Sequence, residues 1–211
     1  MKLTILGATG ATGTCLTEQA LATGHEVTAV VRDPARLSIP PHPRLQVVTA
    51  DVMDPGSITS ALEGAAAVLT AVGPRGKGPT TIIRDSVHSI IQAMQKAGAR
   101  RLLEISGSIV ADDRESPYLR YLIKPVARRT FLRHVCVDMR AAEDQVRHTN
   151  LDWTIFRPPA LTSKPPRGTY RMALDRSVPR AFSIPRADLA ACMLALLDDP
   201  TTVHKCVFVA G

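Results

Sequence analysis

The chain alternates two hydrophobic rhythms. Short, nearly continuous apolar runs occur at Lys2 to Leu6, Glu26 to Val31, Leu45 to Thr49, Ala67 to Val72, Arg101 to Ile105, Leu151 to Phe156 and Cys206 to Val209. Runs of this length, rich in Val, Ile and Thr, read as strands buried on both faces. Between them lie longer stretches with apolar residues every three or four positions: Thr14 to Thr23, Ser57 to Glu63, Thr80 to Ala97, Arg128 to Thr149 and Arg186 to Leu197. These read as helices. The clearest carries Ile83, Val87, Ile90, Ile91 and Met94 on one face, and Gly24 supplies the stop for the first. Strand–helix alternation predicts an α/β fold with a doubly wound parallel sheet and right-handed crossovers, a Rossmann arrangement. The rhythm fails in the Pro-rich stretch 160–183. It is expected to be irregular, with one short hairpin around Gly168 to Leu174, and residues 157–185 are expected to form a small C-terminal substrate lobe on a single domain spanning 1–211.

Composition narrows the class. At 211 residues the chain is long enough to bury a core without staples. No run approaches the ~20 apolar residues of a membrane span. Met1-Lys2 leads straight into the first strand with no cleavable signal pattern, so a cytoplasmic setting is expected. The four cysteines (Cys15, Cys136, Cys192, Cys206) and six histidines are scattered, which predicts neither a disulfide framework nor a metal site. The net charge is +7, with much of the excess between Arg114 and Arg147. A basic stripe is one signature of nucleic-acid binding. Aromatic residues make up only 4% of the chain, too few for stacking platforms, so a solvated helix face is the expectation instead.

The chemistry concentrates near the start. Gly7-Ala8-Thr9-Gly10-Ala11-Thr12-Gly13 follows the first strand and opens the first helix. A tight βα turn without a ligand has the same outline. In this context, however, the spacing suits a dinucleotide pyrophosphate: Gly7 turns the chain, Gly10 admits the anion, and Gly13 lets helix and strand approach. The helix N-terminus then faces the phosphates. Ligands of such sheets sit beyond the carboxyl ends of the strands. That rule gathers Gly7 to Gly13, Arg32, Asp51-Val52, Gly73 to Arg75 and Ser106 to Ser108 on one rim. An acidic residue that binds a free ribose is expected about 20 residues past the glycines. Here Arg32 stands nineteen after Gly13, with Arg36 close behind, which suits a 2′-phosphate. Asp33 is the neighbour that would instead accept from a ribose hydroxyl.

On these motifs, with Val27 to Asp33, Leu151 to Pro159 and Arg186-Ala187-Asp188-Leu189-Ala190, the chain resembles the atypical short-chain dehydrogenase/reductases with an NmrA-like NAD(P)-binding domain. Within that group it resembles the flavin reductase / biliverdin-IXβ reductase subfamily. The resemblance implies NADP(H) as cofactor, with Thr9, Gly10, Thr12 and Gly13 at the pyrophosphate beside the turn at Gly7, Arg32 and Arg36 at the 2′-phosphate, and Asp51 and Val52 at the adenine. Gly73 and Arg75 would flank the nicotinamide-side ribose. The catalytic serine of the subfamily aligns with Gly107, which leaves Ser106 and Ser108 as candidates. The histidine of biliverdin-reducing members is Ala160 here, and the Tyr-x-x-x-Lys pair of the wider superfamily is missing, since Arg120 stands four before Lys124.

Carbonyl reduction needs a positioned acid, whereas a flavin or quinone spreads the incoming charge and takes its proton from water. The expected function is therefore NADPH-dependent reduction of a flat conjugated acceptor, a small molecule of flavin or quinone type. A non-catalytic NADP(H) sensor shares the same cofactor residues and is the alternative. Tyr118 and Tyr121 read as packing, with a site wall or a proton donor as the alternative, and Trp153 as core. Glu104 is expected to be partnered or at a strand edge, and Arg157 to hold the crossing from strand to lobe.

Overall fold

Strands and helices alternate along most of the chain because the faces of the apolar runs must be covered. The computed structural model describes residues 1–74, 76, 78–110 and 132–211. In order these form β1 (Lys2–Leu6), α1 (Ala11–Ala22), β2 (Glu26–Val31), β3 (Leu45–Thr49), α2 (Pro55–Leu62), β4 (Ala67–Thr70), α3 (Ile82–Ala97) and β5 (Arg101–Ile105). There follow α4 (Leu132–Arg147), β6 (Asp152–Arg157), β7 (Ala160–Thr162), β8 (Arg171–Leu174), β9 (Ser183–Pro185), α5 (Arg186–Ala195) and β10 (Lys205–Ala210). Eight strands make the main sheet in the order β3-β2-β1-β4-β5-β6-β10-β8. All neighbours are parallel except β8, which runs antiparallel to β10. Successive side chains of a strand point to opposite faces. Leu3, Ile5, Leu69, Leu103 and Val207 accordingly pack under α1 and α5, while Leu6, Val68, Leu102 and Phe208 pack under α2, α3 and α4. Among the described residues, no helix is long and apolar enough to cross a membrane.

The Pro-rich region departs from expectation. The hairpin around Gly168 to Leu174 does not form. Arg171–Leu174 is instead β8, which closes the exposed edge of β10 with Met172 opposite Val209. Nor is 160–183 simply irregular, because β7 and β9 pair in a separate two-stranded parallel sheet, Leu161 opposite Ile184. Both pairings join residues far apart in sequence, so no local turn signal announces them. The start of the helix predicted at Arg128 falls outside the described residues, as do Arg75, Lys77, Tyr118 and Tyr121. Trp153 is buried on β6 as expected.

Two helix ends set up the site. α1 begins at Ala11, three residues earlier than its apolar rhythm indicates, because Gly10 is extended (φ −85°, ψ 157°) and already serves as its N-cap. The helix stops where Gly24 (φ +87°) takes the left-handed conformation. Gly24 and His25 N–H donate there to Leu21 and Ala20 carbonyls at 3.0 and 2.9 Å, a Schellman closure. α3 is capped from outside its own chain segment. The buried Asp138 carboxylate of α4 accepts from Ile83 and Arg84 N–H at 3.1 and 3.0 Å. A carboxylate at a helix N-terminus offsets its dipole, and this one ties α4 to α3.

Candidate functional site

A cavity of about 710 Å³ opens over the carboxyl ends of β1, β2, β4 and β5. Gly7, Thr9, Gly10 and Thr12 form its floor, with Arg32 and Arg36 at one end and Gly73, Ser106 and Leu161 toward the other. Gly7 (φ +83°) makes the turn, and a Cβ there would lie 2.8 Å from the Ala71 backbone. Gly10 N–H donates to the Gly7 carbonyl at 2.9 Å. No side chain caps the N-terminus of α1, and its first turn holds no acidic residue. The first-turn N–H groups and the positive end of the dipole thus remain available to an anion. The residues fit a dinucleotide: a glycine cradle, a helix start without a cap, and two guanidinium groups at the end of β2.

The structure brings most of the sequence candidates together, though not all. Gly7, Thr9, Gly10, Thr12, Arg32, Arg36, Val52, Gly73 and Ser106 line the cavity. Gly13 does not. It lies beneath the turn, where a Cβ would come 2.1 Å from the Gly7 carbonyl oxygen, so its role is packing. Asp51 is exposed and outside the wall, its carboxylate accepting from Met53 N–H at 3.1 Å. Ser108 also stands outside the wall. It begins a short 3-10 turn (Ser108–Val110), and its N–H donates to the Pro158 carbonyl at 2.8 Å. Arg75 lies outside the described residues. Asp33 caps the turn Pro34–Arg36 through Ala35 N–H at 3.1 Å and is absent from the wall.

Ser106 is 4% exposed, and its Oγ has no hydrogen-bond partner among the described residues. A buried hydroxyl without a partner at a cavity wall marks a place where a ligand completes the bonding. Sequence reasoning missed several wall residues. Ile82 and Ile83 come from the start of α3, Met139 from α4, and Arg186 from the start of α5. Ile83 was legible only as a core position. Arg186 carried a signal, a cation following Pro185 at a helix start, but nothing local connects residue 186 to the first glycine turn.

Glu104 corrects an expectation. It is neither partnered nor at an edge: β5 lies between β4 and β6, and Glu104 is 1% exposed with both carboxylate oxygens unbonded among the described residues. The Glu143 carboxylate, whose charge acts on Glu104, takes the Arg157 guanidinium at 3.1 and 2.6 Å. Burial, reinforced by the Glu143 charge and opposed by Arg147, pushes the Glu104 carboxyl up to about 8. It therefore holds its proton near neutral pH.

Known proteins share this architecture. The model of a family described as NAD(P)H-binding matches residues 7–200. A Saccharomyces cerevisiae protein, UPF0659 protein YMR090W, is 30% identical over 98% of this chain and 92% of its own. An oxidoreductase of Pestalotiopsis microspora is 28% identical over 92% of this chain and 79% of its own. Among solved structures, the oxidoreductase ylbE of Lactococcus lactis superposes with a TM-score of 0.84 at 22% identity, covering 100% of this chain and 91% of that one. A wide-type short-chain dehydrogenase/reductase of Veillonella parvula, solved in complex with NADP, gives 0.84 at 21% identity over 100% and 94%. The two structures share the fold, and the family match spans the glycine turn and six of the eight strands of the main sheet, β1 and β10 lying outside it. The chain belongs to the NAD(P)H-binding family, on a Rossmann-like fold.

Proposed function

We propose that the protein is an NADPH-dependent reductase that delivers a hydride to a flat conjugated acceptor of free-flavin or quinone type. One observation carries the choice of acceptor. Among the described residues, the ionisable side chains lining the cavity are Arg32, Arg36 and Arg186, with no Tyr, His, Lys, Asp or Glu in the wall. Guanidinium groups stay protonated, so none of the three hands a proton to a developing alkoxide. A conjugated ring needs no such acid, because it delocalises the charge and is protonated by water. The bound nicotinamide supplies the hydride. The first turn of α1 holds the pyrophosphate over Gly10 to Thr12, and Ser106 Oγ donates to the carboxamide or the acceptor. Ile82, Ile83, Ile105 and Met139 make the wall around it apolar.

The test is NADPH consumption with purified protein against free flavins, quinones, a linear tetrapyrrole and simple aldehydes. Flavin or quinone is expected to rank first. Tetrapyrrole is expected to be slow, since Ala160 offers no imidazole and stands outside the cavity wall. Fast aldehyde reduction would show that an acid operates here. Tight cofactor binding with no turnover of any acceptor would overturn the enzymatic reading in favour of a sensor.

Preference for NADPH over NADH belongs to the same proposal and rests on Arg32 and Arg36 lining the wall where Asp33 does not. A charge-assisted bond to the 2′-phosphate contributes about 1.5–3 kcal/mol, or about 10- to 150-fold. Arg32→Ala is expected to weaken NADPH by about that factor and to leave NADH unchanged. Equal affinities in the unaltered protein would remove the basis for the preference.

A further inference from the structure

Arg186 is the first residue of α5, which packs beside α1. Gln19 Nε2 on α1 donates to the Ala187 carbonyl at 2.9 Å. Ala11, Cys15 and Gln19 follow at four-residue spacing, so they share the face of α1 turned to α5. Burial and Glu18 push the Cys15 thiol up while the Arg186 charge opposes them, which puts the guanidinium within electrostatic reach of that face. Helical side chains lean toward the N-terminus of their helix. Arg186 therefore projects past the start of α5 into the cavity, whose wall it shares with Ala11 and Thr12.

Among the described residues its bonding is incomplete. Nη1 donates to Ser163 Oγ at 3.0 Å, which leaves donors of the five-donor guanidinium unused. No carboxylate among the described residues neutralises it. Asp188, the acid of the same helix turn, is occupied by Arg167 N–H at 2.9 Å and Gly168 N–H at 3.1 Å. A half-buried cation without a counter-ion thus shares a cavity wall with an uncapped helix start. Each element by itself favours an anion in the space between them.

We propose that Arg186 pairs with the dinucleotide pyrophosphate from the α5 side, while the first turn of α1 holds it from the other. This rests on the placement of the pyrophosphate at Gly10 to Thr12. It is separate from the role of Arg32 and Arg36, which stand at the 2′-phosphate end.

Calorimetric titration with NADP+, NAD+ and 2′-AMP, which lacks a pyrophosphate, tests it on the unaltered protein, Arg186→Gln, Arg186→Lys and Gly10→Val. Arg186→Gln is expected to weaken NADP+ and NAD+ alike, by about tenfold or more, with 2′-AMP unchanged. Retained 2′-AMP binding also reports that the variant is folded. Arg186→Lys keeps the charge without the fork and is expected to fall between. Parallel loss of 2′-AMP would overturn the inference, as would unchanged dinucleotide affinity with a raised acceptor KM. Loss in Gly10→Val without loss in Arg186→Gln refutes the role of Arg186 alone. Unchanged affinity in folded Gly10→Val refutes the pyrophosphate placement itself.

Discussion

Gly10→Val is expected to remain folded and to lose dinucleotide affinity by about a hundredfold or more, the equivalent of two charge-assisted backbone bonds at about 1.5–3 kcal/mol each. The backbone at Gly10 (φ −85°, ψ 157°) suits any L-residue. A Cβ there meets the Gly7 carbonyl oxygen at 3.2 Å, which asks that oxygen to give by a few tenths of an ångström. The rest of the valine side chain would stand over the first turn of α1, in the space the anion must enter. Gly13→Val makes the contrast. Its Cβ would lie 2.1 Å from the Gly7 oxygen and 2.8 Å from the Ala8 Cα. Overpacking against backbone costs about 1–3 kcal/mol or more, so a lowered Tm is expected before any binding defect. The glycines of one motif thus separate into one that admits the ligand and one that lets the helix approach the strand. Calorimetry and thermal melts on both variants check this, and a Gly13→Val protein as stable as the unaltered one would contradict the packing.

The unaltered protein is expected to lose stability between about pH 4.5 and 8, and Glu104→Gln is expected to remove that loss. A carboxyl raised from 4.5 to about 8 on folding binds a proton in the folded state that the unfolded chain has released. Its stabilising effect is therefore complete below the unfolded value and disappears as pH rises through the folded one. The slope is about 1.4 kcal/mol per pH unit, so the full span reaches about 5 kcal/mol. Glutamine keeps the shape and never ionises. Denaturant midpoints at pH 5 and pH 8.5 check it: the gap between the two proteins should open in favour of Glu104→Gln on the alkaline side. Parallel curves would mean that Glu104 is ionised in the folded protein. Glu104 lies on β5, and Ser106 follows directly after its last residue, Ile105.

How much of this was legible residue by residue depends on the range of the interaction. β1, β2, β3 and β5 begin and end where their apolar runs do, because the turn residues bound each run, although the edge strand β3 stays half exposed. The glycine turn was equally legible, since its geometry is settled within seven residues. Arg32 and Arg36 followed from their distance along β2. The limits of local pattern show at α1, which starts at the extended Gly10 and not at its first apolar position. They show again at Asp51 and Ser108, which neighbour the rim in sequence but have their polar groups bound to nearby backbone.

By itself, then, the sequence determined the alternation of elements, the parallel sheet, the place of the dinucleotide turn and the cation at the end of β2. Each of these depends on contacts within one βα unit, where periodicity and glycine stereochemistry leave few alternatives. Only the tertiary structure decided that β8 closes the edge of β10, that β7 pairs β9, and that Asp138 caps a helix more than fifty residues before it. The same holds for the isolation of Glu104 and the arrival of Arg186 beside Ala11 and Thr12. Such pairings close long loops, and the cost of closure grows only slowly with loop length. Many partners are therefore nearly equal in chain entropy, and which one wins is settled by packing and polar satisfaction across the whole molecule.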